Sequence, residues 1–215
     1  MQFELNLNFV KGLSVIIPKN EIRYYLKGLY FEAAKNDGFY LVATDGHRMA
    51  IIKDDNQQAD RDYSFIIPVE TIKDLIKMMD KDNPIAYLQY DSENNRITIQ
   101  YKGNMMGVAP VDGKFPDFRR VVPASVTGEA GQFNADYIAD FKKMANYINA
   151  TKNLDCYIKQ NGEQVAIVDI CANKPEFNIY GIGLIMPLRK SDSAFENYSR
   201  PVWIDPKKPE LKAVA

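Results

Sequence analysis

Leu41-Val42-Ala43-Thr44-Asp45-Gly46-His47-Arg48-Met49-Ala50 reads as a strand, a tight Asp-Gly turn and a returning strand. Asp-Gly supplies the left-handed backbone that a short hairpin needs between two apolar runs. Downstream, Val111-Asp112-Gly113-Lys114-Phe115-Pro116-Asp117-Phe118-Arg119-Arg120-Val121-Val122-Pro123 reads as the exit of a domain into a linker closed by proline. Neither stretch has a catalytic pattern. Around them, hydrophobic period gives the same order three times at a spacing of roughly 60 to 70 residues: strand, helix, then three strands. The first copy places strand 3–8, helix 9–17 and strands 24–33, 39–44 and 47–53. The second places strand 63–68, helix 69–80 and strands 85–91, 96–101 and 104–111. The third places strand 129–133, helix 135–149 and strands 154–159, 164–170 and 178–188.

The expected class is therefore α+β, with amphipathic helices laid on antiparallel sheets. In the second helix Ile72, Leu75, Ile76 and Met79 fall at i, i+3, i+4 and i+7, while Lys73, Lys77 and Lys81 step by four along another face. The third opens at Asn134 as N-cap, turns Ile138, Phe141, Ala145 and Ile148 inward and shows Lys142 and Lys143 to solvent. A solvated surface is the ordinary reading of such lysines.

A chain of 215 residues, 46% hydrophobic and 26% charged, can bury a full core. The net charge of −1 argues against holding nucleic acid by bulk positive charge. No apolar run suits a membrane span, and the N-terminus lacks the pattern of a signal peptide, so a cytoplasmic protein without a membrane partner is expected. Cys156 and Cys171 fit no zinc spacing and read as buried free thiols. There is no phosphate loop, metal-ligand spacing or cofactor fingerprint, so no cofactor is expected. His47, the single histidine, has no nucleophile motif beside it, and the chain reads as one without a catalytic site of its own.

The two opening stretches, with Phe133-Asn134-Ala135-Asp136-Tyr137-Ile138 and Leu184-Ile185-Met186-Pro187-Leu188-Arg189, resemble the bacterial DNA sliding clamp, the β subunit of DNA polymerase III. The resemblance implies the DNA-clamp fold, with sheets outside and helices on an inner face. It divides the chain into a complete clamp domain at 1–123, like the family's middle domain, a half domain at 124–190, like the end of the last domain, and a C-terminal extension at 191–215. In that extension Phe195, Tyr198 and Trp203 suggest a packed segment as readily as a tail. Family chains carry six units in three domains, and two chains close into a ring. Three units leave the third without a mate, so an exposed sheet edge and apolar helix face are expected, and a twofold partner would complete the domain. Four chains would supply the ring's twelve units.

The resemblance also implies functional residues. An apolar pocket for peptides resembling Gln-Leu-x-Leu-Phe matches Leu26, Thr44, Gly46, His47, Arg48, Met49, Pro116, Arg120, Val121, Leu184 and Met186. Leucine and methionine make a greasy, adaptable surface for Leu and Phe anchors, and Arg48 and Arg120 are expected to hold peptide carbonyls or acidic groups. Arg23, Tyr24, Tyr25, Lys73, Lys77, Lys81, Lys142 and Lys143 are expected to face DNA, lysines meeting phosphate and tyrosines stacking on bases. The implied function is a processivity factor that encircles double-stranded DNA as a homo-oligomer, without sequence preference, and tethers DNA polymerase and other clamp-binding proteins, with a clamp loader as a further partner. The rival reading is a non-ring interaction module that uses the same pocket to capture or divert clamp-binding replication proteins.

Overall fold

The structure, a computed structural model, describes residues 1–170 and 178–189. Cys171 and the extension 191–215, with Phe195, Tyr198 and Trp203, lie outside the described residues. The chain runs β1 (Gln2–Asn6), α1 (Leu7–Leu13), β2 (Gly28–Ala33), β3 (Phe39–Thr44), β4 (Arg48–Asp54), β5 (Tyr63–Pro68) and α2 (Val69–Met78). It continues with β6 (Ile85–Asp91), β7 (Arg96–Tyr101), β8 (Asn104–Val108), α3 (Ala135–Ile148), β9 (Ile158–Lys159), β10 (Ala166–Asp169) and β11 (Ile179–Ile185).

Two antiparallel sheets result. One has the order β1-β6-β7-β8 and the other β5-β2-β3-β4-β11-β10-β9. The first strand of each complete unit is exchanged: β1 pairs with β6 and β5 with β2, which ties the first two units into one body. Alternation decides the faces. Phe3, Leu5, Leu29, Phe31, Leu41 and Ile52 point to the helices and form the main core with Leu75 of α2 and Phe141 of α3. Tyr30, Val42, Met49 and Ile51 point the other way, into a second cluster with Phe115 and Phe118 of the 109–123 linker. That linker is a strap across the outer face of the large sheet. Tyr30 stacks on Phe115 at 4.5 Å, and Arg119 pairs with Glu32 at 2.6 Å.

The third unit departs from expectation. Residues 129–133 are not a strand, because no neighbouring strand offers them a ladder; Gly128 and Gly131 instead bond to Gln160. Nor does the unit stand apart with its apolar helix face bare. Strand β11 pairs along the whole of β4, from Ile179 opposite Asp54 to Ile185 opposite Arg48. Helix α3 packs on α1 with Phe141, Met144, Ala145 and Ile148 buried. The close approach rests on Gly12, where a Cβ would lie 2.5 Å from Cγ1 of Ile148.

Boundaries differ too: β8 ends at Val108, and the strands of the third unit shorten to Ile158–Lys159, Ala166–Asp169 and Ile179–Ile185. Residues Tyr24–Leu26 form a turn of 3-10 helix before β2, α1 ends at Leu13, and α2 ends at Met78. Cys156 is a half-buried free thiol whose pKa is raised by burial and by the charge of Asp169. No helix among the described residues is long and apolar enough to cross a membrane.

Candidate partner pocket and helix face

The turn between β3 and β4 is built by its own side chains. Asp45 Oδ1 accepts from the backbone N–H of His47 and Arg48, at 2.9 and 3.0 Å, and the Thr44 hydroxyl donates to the Arg48 carbonyl at 2.7 Å. Gly46 takes φ +89°, which a side chain would strain. This rigid turn stands next to the end of β11, since the Met186 N–H donates to the His47 carbonyl at 2.9 Å. Across the junction Leu184 is opposite Met49.

A cavity of about 180 Å³ opens here, lined by Arg23, Leu26, Thr44, Gly46, His47, Arg48, Met49, Pro116, Val121, Val165, Leu184 and Met186. Its floor is buried, with Leu26 and Leu184 each 2% exposed, while the rim residues Val121 and Met186 are 45% and 48% exposed. Half-exposed apolar side chains around a buried apolar floor suit an occupant with hydrophobic anchors. Every expected pocket residue except Arg120 lines it. Arg120 points to solvent, with 84% of its side chain exposed and a 3.4 Å contact to Asp117, and stands outside the cavity lining.

Two lining residues were not expected there. Val165, beside β10, carried no signal beyond a strand-like run. Arg23, expected on the DNA side, forms the rim; its guanidinium holds Glu21 through two contacts of 2.9 Å and reaches the Asp45 carbonyl at 3.3 Å. The hydrogen bonds from Arg23 hold the Glu21 carboxyl down to about 2.

Arg48, expected to hold peptide carbonyls, lines the cavity and also makes contacts within the chain. Its side chain is 9% exposed, with Nε on Asp45 at 2.9 Å, Nη1 on Asp140 of α3 at 2.8 Å, and the guanidinium 4.2 Å from the Tyr137 ring. It ties the pocket turn to α3.

The helix face carries the expected lysines in a more neutral setting. Lys73 pairs with Glu70 at 2.7 Å and Lys77 with Asp74 at 2.9 Å, both at i,i+3. Lys81 lies beyond the end of α2, so the stripe is not continuous along one helix. Lys142 contacts Asp155 at 3.4 Å. Lys143 and Lys11 both sit over the Tyr147 ring, at 6.0 and 4.5 Å, and share a cleft with Lys19 that sequence reasoning did not single out. Of the tyrosine pair, Tyr24 is 57% exposed, while Tyr25 packs against the strap cluster. Among the described residues no group of His, Cys, Asp and Glu could hold a metal ion.

Residues 4–117 match the family model for the DNA polymerase III beta subunit, central domain. The chain belongs to the DNA polymerase III β subunit family. The Escherichia coli K12 beta sliding clamp is 38% identical over 116 residues, covering 53% of this chain and 30% of that protein. The chain spans about a third of the length of the curated sliding clamps it matches. Solved clamp structures share the fold across nearly all of it. A Pseudomonas aeruginosa sliding clamp superposes with TM-score 0.67 at 18% identity, covering 88% of this chain and 66% of that one. The Helicobacter pylori beta clamp, solved bound to a DNA ligase peptide, gives 0.64 at 12% identity over 88% of this chain and 66% of that one. The DNA-clamp fold read from the β3–β4 turn and the strap is therefore the fold of this chain.

Proposed function

We propose that this chain is a sliding-clamp-like processivity factor that encircles double-stranded DNA as an oligomer and holds partner proteins by short peptides of the Gln-Leu-x-Leu-Phe kind. The chemistry would belong to the partners, DNA polymerase first among them. The supporting observation is the pocket itself: residues from the 23–26 turn, the β3–β4 hairpin, the strap and β11 converge on one apolar cavity with a half-exposed Met186 at its mouth. A clamp of the same fold has been solved with a ligase peptide bound.

The test is fluorescence anisotropy with a labelled Gln-Leu-x-Leu-Phe peptide. Met186→Asp sets a desolvated charge beside the apolar anchors and should weaken binding about tenfold or more, the loss typical of a central anchor contact. Failure of the unsubstituted protein to bind the peptide would overturn the pocket assignment. The interaction module without a ring keeps a claim from one observation, the pairing of Lys73 and Lys77 with Glu70 and Asp74, which leaves that helix face nearly neutral. Retention on primed circular DNA, lost on linearisation, separates the two: an encircling clamp slides off an open end, and a capture module shows no such difference.

A further inference from the structure

Two sheets have four outer edges, and an open edge is a row of unpaired backbone donors and acceptors that proteins usually cover. Three edges here are met by the chain's own groups. At β1 the Gln57 side-chain amide pairs with Glu4 like an extra strand residue, accepting from its N–H at 2.5 Å and donating to its carbonyl at 3.0 Å. At β5 the strap lies alongside, with the Val111 N–H on the Ile66 carbonyl at 2.9 Å. Strand β9 has only two residues, and the segment containing Gly128 and Gly131 is bonded along the residues just after it.

The fourth edge, β8, is different. Among the described residues, no other segment bonds to the backbone of Met105–Val108 beyond the ladder with β7. The two-residue turn at Lys102-Gly103 makes Tyr101 and Asn104 a hydrogen-bonded pair, so alternation turns the peptide groups of Met105 and Gly107 outward. The strand reads Asn-Met-Met-Gly-Val, with no charge or proline before Pro110, and Met105 is 70% exposed. The strand itself carries no charged or proline guard against strand addition, and the one charge that reaches it is the Arg96 guanidinium of β7, which lies over Gly107 and would have to swing aside.

The chain also shows how its units join sideways. Strand β4 closes the first unit and β11 the third, and the two pair antiparallel, last strand to last strand. Strand β8 closes the second unit and is the one last strand among these left without a mate. With β4 and β11 already engaged, the matching edge on another copy is its own β8. We infer that β8 pairs antiparallel with β8 of a second copy, about a twofold axis at Met106, so that Met105 faces Gly107 of the other chain and the two small sheets become one. An isologous contact of this kind is self-complementary by construction. Five residues bury little area, so the dimer belongs to the weak class, with a dissociation constant of about 10–100 μM.

The inference stands on the sheet edges and not on the peptide pocket, and its test is separate. Sedimentation equilibrium from about 1 to 500 μM, chosen to bracket that constant, is combined with amide hydrogen exchange. Mass should rise with concentration, and the Met105 and Gly107 amides should exchange more slowly as it does. Met105→Pro removes an outward N–H that makes no ladder bond to β7, and Met105→Lys sets like charges across the twofold. Both should abolish the β8 contact at unchanged circular dichroism and unchanged peptide affinity, while Tyr87→Lys, on the same sheet away from this edge, should leave it intact. A monomer at every concentration would overturn the inference. So would an assembly that persists in Met105→Pro, or one that forms in the unsubstituted protein while the Met105 and Gly107 amides exchange as freely as in the monomer.

Discussion

Arg48 joins structural contacts to a place in the cavity wall. A guanidinium fork fits two carboxylates and a ring at once, and Asp45, Asp140 and Tyr137 occupy it. Replacing it by alanine strands two acids in a partly buried setting. Arg48→Ala should lose about 2–3 kcal/mol in urea unfolding, below the full cost of breaking a buried pair because Asp140 is partly exposed. Arg48→Lys should recover little of it, since an ammonium cannot span both acids. At the rim the Glu21 carboxyl titrates near 2 because Arg23 donates to it. With the folded pKa depressed, the pair's contribution is fully present above the ordinary carboxylate range and fades as pH falls toward 2. A carbon-detected NMR titration should put the Glu21 midpoint there and return it to the usual range in Arg23→Ala. An unchanged midpoint in the variant would mean the Arg23 hydrogen bonds are not its cause.

At the scale of elements, α1 and α3 make the contact that holds the third unit, and Gly12 sets its closeness. Alanine is the better helix former by about 1 kcal/mol, yet its Cβ would meet a stiff, branched Ile148 at 2.5 Å. We expect the clash to win, so that Gly12→Ala unfolds about 1–2 kcal/mol more easily; a stabilised variant would show that the helices can part at little cost. Much at this scale was legible. Strands β3, β5, β6 and β7 begin and end where alternation and turn residues placed them, because both signals are local. The strand expected at 129–133 failed because a strand needs a partner, and pairing is a tertiary fact. The pocket was legible through the hairpin and the strap. Arg120 misled because adjacent residues on the short turn Phe118–Val121 point in different directions. Glu70 and Asp74 three residues before Lys73 and Lys77 were readable from spacing alone, and they qualify the lysine stripe.

For the whole molecule the open question is charge on the helix side. If that side meets DNA, Glu70 and Asp74 oppose the contact they border. Glu70→Gln with Asp74→Asn should then tighten binding to circular DNA and steepen its dependence on salt, since freed lysines displace more counterions. Equal affinity and slope would move the DNA contact away from α2, toward the cleft of Lys11, Lys19 and Lys143. The pocket, by contrast, is not a property of either part of the chain. Its floor is the seam where Leu184 meets Met49. A slip of one residue between those strands would turn Leu184 to the opposite face and erase the cavity. Under the proposed function, peptide affinity would gauge that seam: the 1–123 part alone should be deaf to the peptide, and strain that pries the third unit from the first should weaken the hold on any partner docked there.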